Sequence, residues 1–162
     1  MQPILYMTSL LTFYLKGEIH KDQNFINLKK PNTILSFIPL GAKKDSIPVS
    51  QLSSVESNFK LHLGSLILGA IIAIVGLGMI SESFVVALIF MLIGVNKAIT
   101  AFETILTITT TDGYARDISF LIFEKSKAEL AETQIKQIIS DRLDDTNNRV
   151  QTDRIVETNS NK

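Results

Sequence analysis

The sequence lacks cysteine and tryptophan, has only 2 histidines, and balances 16 basic residues against 16 acidic ones. Without cysteine there can be no disulfide, thiolate metal site or cysteine nucleophile. His20 and His62 are far apart in the sequence, which argues against a histidine metal site within one chain. A net charge of zero favours neither nucleic acid nor an acidic substrate. We therefore expect no cofactor, no metal and no nucleic-acid partner.

Short catalytic motifs are also missing. The chain has no nucleophile elbow, P-loop, Rossmann glycine pattern, zinc-protease helix or histidine-centred triad. Gly76-Leu77-Gly78 lies inside an apolar run and so does not form a phosphate loop, and Asp144-Asp145 is typical of a solvated helix end. The sequence predicts a protein that is not an enzyme.

What the chain does contain is a long apolar stretch over residues 61–101. No charged residue occurs from 61 to 80, no polar side chain occurs from 84 to 95, and only Ser81-Glu82-Ser83 separates the two runs. A bilayer core of about 30 Å requires about 20 apolar helical residues. We predict a transmembrane helical hairpin, with helices at about 61–80 and 84–101, in preference to a pair of buried core helices.

On both sides of this stretch the pattern is that of short antiparallel strands. Residues 25–29 alternate with a period of two, residues 105–109 are β-branched, and Asp112-Gly113 predicts a tight hairpin turn. Because a two-stranded hairpin with one helix is too small to be stable alone, we expect residues 1–60 and 102–143 to complete one small antiparallel β domain. The helical hairpin is then an insertion in that domain.

The chain after the second set of strands predicts a capped helix followed by a tail. Ser126 and Glu129 have the spacing of a capping box. A helical stripe follows, made of Ala131, Ile135, Ile138, Ile139 and Arg142. Residues 144–162 are polar without sustained periodicity, so we predict a disordered tail there, or a segment around 150–156 that orders on a partner. At the other end, residues 12–16 are interpreted as a first strand or as an amphipathic segment on the membrane.

Basic residues flank the predicted spans on one side only. Lys60 precedes the first span and Lys97 closes the second, whereas the intervening loop has Glu82 as its one charged residue. Lys and Arg are enriched in cytoplasmic segments close to membrane helices. This bias predicts a two-span protein of the plasma membrane with both termini and the β domain in the cytoplasm.

Three segments resemble the bacterial PH-like domain proteins, especially those whose domain is interrupted by two membrane helices. They are residues 14–19, the strand-like stretch 47–56, and the closing hairpin and helix at 105–143. The resemblance covers about residues 12–143 and implies an α+β membrane protein, with a bent antiparallel PH-like β domain closed by a C-terminal helix. It implies binding of lipids, peptides or proteins and no particular activity.

Small residues recur on one face of the first predicted helix, at Ser65, Gly69 and Ala73, and on the second at Gly94 and Ala98. Such a face allows another helix to approach closely. The partner is either the second helix of the same chain or a neighbouring protomer. Lys97 either extends to the membrane interface or pairs with a carboxylate on a partner membrane protein.

Four lysines are candidates for contact with anionic lipid headgroups: Lys29, Lys30, Lys43 and Lys44. Ordinary solvated turn lysines are the alternative. From these features we expect a non-catalytic integral membrane adaptor or scaffold whose cytoplasmic PH-like domain binds another protein or forms a homo-oligomer. The alternatives are a module that binds anionic lipid and a small accessory or immunity-type subunit of a membrane transporter. The expected partners are membrane lipid and either another membrane protein or a second copy.

Overall fold

The computed structural model describes residues 1–34 and 38–160. Within these residues it contains strands β1 to β7 and helices α1 to α3. The strands are β1 Ile4–Met7, β2 Lys16–Asp22, β3 Phe25–Ile34, β4 Ile38–Pro48, β5 Leu52–Leu61, β6 Phe102–Thr110 and β7 Ala115–Leu121. The helices are α1 Leu63–Gly78, α2 Phe84–Ile99 and α3 Lys125–Ser160, and 3-10 turns cover Val49–Gln51 and Ile122–Glu124.

The strands form two antiparallel sheets, one in the order β1-β2-β3-β4 and the other in the order β5-β6-β7. Tight turns connect neighbouring strands. Gln23 has a φ of 46° between β2 and β3, and Gly113 has a φ of 83° between β6 and β7. The second turn is the one that the Asp-Gly dipeptide predicts. The sequence also predicts a short strand at 34–38, and its residues 35–37 lie outside the described part of the chain.

The first strand differs from the prediction. Residues 12–16 alternate in the sequence, but β1 is Ile4–Met7 and pairs with the start of β2 at Lys16. A turn closed by a 2.8 Å hydrogen bond from Leu15 N to Thr12 O occupies most of the predicted strand. Alternation over a few apolar residues does not determine which segment forms a strand. The strand also needs a neighbouring strand with which it pairs in register.

The core lies between the inner faces of the two sheets and under α3. Ile19 and Ile26 of the first sheet, Leu106 and Phe120 of the second, and Ile135 of α3 are all fully buried. The Tyr6 and Phe120 rings meet with centroids 4.6 Å apart. The predicted stripe on α3 is therefore correct at its buried positions. At the end of this packed part, the Arg142 guanidinium donates hydrogen bonds to Val49 O at 3.1 Å and Ser50 O at 2.6 Å.

α3 is longer than predicted at both ends. It begins at Lys125, so Ser126 lies inside the first turn and does not cap it. Buried Glu124, just before the helix, instead accepts a hydrogen bond from the Met7 backbone N–H and pairs with Lys127. At the far end α3 continues to residue 160, where a disordered tail was predicted; residues 161–162 lie outside the described part. Local i, i+4 contacts such as Arg149–Asp145 at 3.1 Å support this polar extension.

The predicted transmembrane hairpin is wrong. α1 and α2 have 16 residues each, which gives a length of about 24 Å at 1.5 Å per residue. The hydrocarbon core of a bilayer is about 30 Å thick, so both helices are too short. Among residues 1–34 and 38–160, no helix combines the length and the apolar character needed to cross a membrane. The helices are short because their ends are used elsewhere: Leu61 is the last residue of β5 and pairs with Phe102 of β6, and residues 79–83 form the turn.

This finding also corrects the predicted fold class and location. In its described residues the chain has an α+β fold with two antiparallel sheets and three helices, and the predicted class of an α+β membrane protein is not supported. A two-span protein of the bacterial plasma membrane with cytoplasmic termini is therefore not supported. β5 and β6 pair directly on either side of the helices, so the chain leaves and re-enters the three-stranded sheet at one end.

Candidate functional site

α1 and α2 pack against each other through small residues. A Cβ atom built on Gly69 would lie 2.6 Å from Ala98 N and 2.8 Å from Gly94 O. A Cβ built on Gly94 would lie 2.5 Å from Ala73 N. The two backbones are thus nearly in contact, which only small residues permit. Four of the five predicted packing residues meet inside one chain, while Ser65, one turn earlier on α1, is half-buried.

A second close approach occurs nearer the turn of the hairpin. The Cβ of a residue at Gly76 would lie 2.9 Å from Met91 N and 3.0 Å from Ala87 O, and both Gly76 and Ala87 are buried. Gly76 was considered in the sequence only as part of a rejected phosphate loop. Gly76 follows Gly69 by seven residues, or two helical turns, and this spacing places both glycines on one face of α1. The spacing is the signal in the sequence that could have predicted the second contact.

The small residues face inward, and so the large apolar side chains of both helices face outward. Sixteen large apolar residues between Leu63 and Val95 are exposed by 37% to 66% of their surface. Glu82 is the one charged residue in that range. Monomeric proteins rarely expose contiguous apolar patches larger than a few hundred Å². This outward apolar face of α1 and α2, called the hairpin face below, is the most unusual surface of the described chain.

Asn96 connects the base of the hairpin to the N-terminal segment through hydrogen bonds. Its side chain is buried, and its Oδ1 accepts hydrogen bonds from Ser9 Oγ at 3.2 Å and from Leu11 N at 3.3 Å. In the sequence Asn96 directly follows the second apolar run, and no local pattern there predicts this role. Lys97 is half-buried in the last turn of α2, where its carbonyl accepts a 3.1 Å hydrogen bond from Thr100 Oγ1. Its predicted contact with a partner carboxylate stays a prediction.

The four candidate lysines lie on β3 and β4 as two cross-strand pairs, Lys29 with Lys44 and Lys30 with Lys43. Successive side chains in a strand point to opposite faces. Lys30 and Lys43 therefore share one face of the strand pair, and Lys29 and Lys44 share the other. The structure does not bring the four together into a single basic surface, and their role as lipid ligands stays a prediction.

Lys30 and Lys43 border a cleft of about 350 Å³ between β3–β4 of the first sheet and β7 of the second. Arg116 on β7 and Asp45 on β4 close one side of it, with 2.7 Å between Arg116 Nε and Asp45 Oδ2. Lys30 Nζ reaches the Asp117 carbonyl at 3.4 Å. These contacts join residues about 70 to 90 positions apart in the sequence, so no local pattern could have predicted them.

Tyr6 lies beneath this cleft, with its side chain buried. Burial raises the pKa of the Tyr6 hydroxyl well above its ordinary value, because the phenolate would lose its hydration. The hydroxyl donates a 3.3 Å hydrogen bond to Lys29 O. Tyr6 therefore stays neutral and has a structural role in packing and hydrogen bonding.

The described residues include no group of three or more histidine, cysteine, aspartate or glutamate side chains placed to hold a metal ion. His20 lies 3.3 Å from Glu18, and His62 lies 3.6 Å from Glu103, each as a separate surface pair. Histidine and carboxylate are thus paired in two distant places. Among the described residues, no hydroxyl group is hydrogen-bonded to either pair.

No family model, curated protein or solved structure matches this chain. The predicted resemblance to bacterial PH-like membrane proteins with an inserted transmembrane hairpin is wrong, because no described helix can form such a hairpin. It rested on the order of strand-like segments around two apolar runs, and the helices in those runs are too short to span a membrane.

Proposed function

We propose that this protein is a non-catalytic self-association module, in which the hairpin face of one copy covers that of a second copy. The observation that carries the proposal is the exposure of sixteen large apolar side chains between Leu63 and Val95. Burying apolar surface is the main favourable term in protein association. The paired β domains would then be held together through their helices.

The amount of apolar surface suits such an interface. Fully burying a Val, Leu, Ile or Phe side chain contributes about 1.5–3 kcal/mol at about 25 cal/mol per Å², which corresponds to about 60–120 Å² per side chain. Sixteen side chains that are about half exposed therefore present roughly 500–1,000 Å² around the outer surface of both helices, of which a second copy covers one side. A standard protein interface buries about 800 Å² on each partner.

A second copy is the occupant that best fits the composition of the face. A two-fold interface brings the same patch of both subunits together, so each charge in it meets a copy of itself or a nearby neighbour. Residues 63–95 contain one charged side chain, Glu82, which lies in the turn at the tip of the hairpin. Two hairpin faces can therefore meet without like-charge repulsion along the helices.

Mass measurement on three proteins tests the proposal. They are the wild type, a variant with Ile67→Gln, Ile71→Gln and Ile74→Gln on the exposed side of α1, and a control with Leu130→Gln on α3. Leu130 is 49% exposed, close to the exposure of the three isoleucines, but lies outside the hairpin face. Analytical ultracentrifugation without detergent over a concentration series gives the mass, and far-UV circular dichroism checks that each protein is folded.

We expect the wild type and the Leu130→Gln control to sediment at a multiple of the 18.0 kDa chain mass, and the triple variant at the chain mass. A wild type that stays monomeric over the series would overturn the proposal. So would a folded triple variant with the wild-type mass. If the protein binds phosphatidylcholine vesicles as a monomer, the hairpin face is a lipid-binding surface, and this result would contradict self-association.

A further inference from the structure

The cleft between the two sheets combines positive charge with an apolar floor. Its lining includes the apolar side chains of Leu28, Pro31 and Ile118, and the floor is completed by buried Tyr6. Ligand pockets in proteins have volumes of about 300–1,000 Å³, so a cleft of about 350 Å³ suits a small molecule. The opening lies where the edge of the first sheet faces β7.

The charges that border the cleft do not cancel. Lys30, Lys43 and Arg116 are cationic, and Asp45 is the carboxylate paired with Arg116, which leaves an excess of two positive charges. Asp117 borders the cleft through its backbone, because its Oδ1 accepts a 2.7 Å hydrogen bond from Thr107 Oγ1 on the other face of the strand. Strand alternation places Arg116 and Ile118 together on the cleft side.

Two of these cations are held face to face without an anion between them. Lys30 and Lys43 are directly opposite each other in the register of β3 and β4. Like charges at such positions destabilise a sheet. Within the described part of the chain, the Lys30 ammonium has one acceptor, the Asp117 carbonyl at 3.4 Å, and Lys43 has none. A bound anion would remove this repulsion and satisfy both ammonium groups.

We propose that the cleft binds a small phosphorylated molecule. The phosphoryl group accepts hydrogen bonds from Lys30, Lys43 and the free guanidinium nitrogens of Arg116, and an apolar portion rests on Leu28 and Ile118. The excess of two positive charges matches a phosphate monoester dianion, and arginine and lysine are the usual ligands of phosphate. This site is separate from the hairpin face, so each proposal stands or falls alone.

Titration with inorganic phosphate, the shared part of any such ligand, tests the site. Binding is followed by chemical-shift changes at the backbone amides and by thermal denaturation, for the wild type and four single variants. Lys30→Gln and Lys43→Gln remove cleft cations. Lys29→Gln and Lys44→Gln are matched controls on the same two strands, because they break the other like-charge pair on the opposite face.

In the wild type we expect saturable shifts at residues 30, 43 and 116 and a melting temperature that rises with phosphate. Lys30→Gln and Lys43→Gln should each weaken binding about tenfold, and the controls less than about twofold, since surface charges outside the cleft act only weakly. Relief of repulsion should raise the phosphate-free melting temperature in Lys43→Gln and Lys44→Gln alike, whereas Lys29→Gln also loses the opposite charge of Glu18 on β2. Stability and binding are thereby separated.

Three results would overturn the proposal. The first is a wild type without saturable shifts at the cleft residues. The second is an equal loss of affinity in Lys44→Gln and Lys43→Gln, which would indicate a general electrostatic effect. The third is binding only to vesicles that contain phosphatidic acid and none to free phosphate, which would assign the lysines to a lipid surface.

Discussion

Replacing Gly94 by alanine tests the helix contact from which the hairpin face follows. The added Cβ would lie 2.5 Å from Ala73 N and 2.8 Å from Gly69 O, whereas ordinary contact begins at 3.4 Å. Both neighbours are backbone atoms, so α1 has to retreat by about 1 Å. Overpacking of this kind costs about 1–3 kcal/mol. The higher helix propensity of alanine offsets about 0.5–1 kcal/mol of this cost.

We therefore expect Gly94→Ala to lower the free energy of unfolding by about 1–2 kcal/mol and the melting temperature by about 2–8 °C. Gly64→Ala is the matched control, because nothing lies within 4 Å of a Cβ built at this position of α1. The control should keep or gain stability by up to about 1 kcal/mol. Thermal and urea denaturation followed by circular dichroism measure both proteins.

Hydrogen exchange localises the effect. Amides of α1 and α2 should lose protection in Gly94→Ala, while those of β2 and β3 should change less, because local openings follow cooperative units. The reasoning would be refuted if Gly94→Ala matched or exceeded the stability of Gly64→Ala with unchanged helix protection. The helices would then not meet at Gly69 and Gly94. The conclusion that the large apolar side chains face outward would no longer be supported.

Two further predictions concern single side chains. Asn96→Ala leaves the Leu11 N–H without its acceptor and should lower the free energy of unfolding by about 1–3 kcal/mol. Residues 8–15 should then be cleaved faster by proteases, and an unchanged cleavage rate would contradict the role of this hydrogen bond. Hydrogen bonds from Lys136 and Ser57 lower the pKa of Glu132, so its stabilising effect is present above its unfolded pKa of about 4.3 and lost as pH falls through the folded value. Glu132→Gln should therefore be less stable than wild type at pH 7, and the difference should shrink in acid; a gap that is constant with pH would refute this.

Several parts of the fold could be predicted because their signals are local. The Asp112-Gly113 turn needs a residue that accepts positive φ, and Gly113 supplies it. The buried side of α3 follows from the helical spacing of Ala131, Ile135 and Ile138. Both properties depend on residues a few positions apart, which is the range over which sequence patterns carry information.

The length of the two apolar helices could not be predicted in this way. The apolar runs are long enough for a membrane span, but Leu61 belongs to β5, where it pairs with Phe102, and α2 ends at Ile99, just before β6 begins. A strand and a helix are equally compatible with an apolar residue at such a boundary. The partner strand made the choice, and that partner is 41 positions away in the chain.

The sequence by itself determined the Asp112-Gly113 turn, the buried stripe of α3 and the small residues that allow α1 and α2 to approach closely, since each depends on local backbone preference and side-chain size. Only the tertiary structure decided what those parts face. It turned the small residues inward and the large apolar ones outward, fastened Asn96 to the N-terminal segment, and placed Arg116 against Asp45 beside Lys30 and Lys43. These contacts depend on strand register and sheet packing, which bring together residues that no pattern in the chain connects.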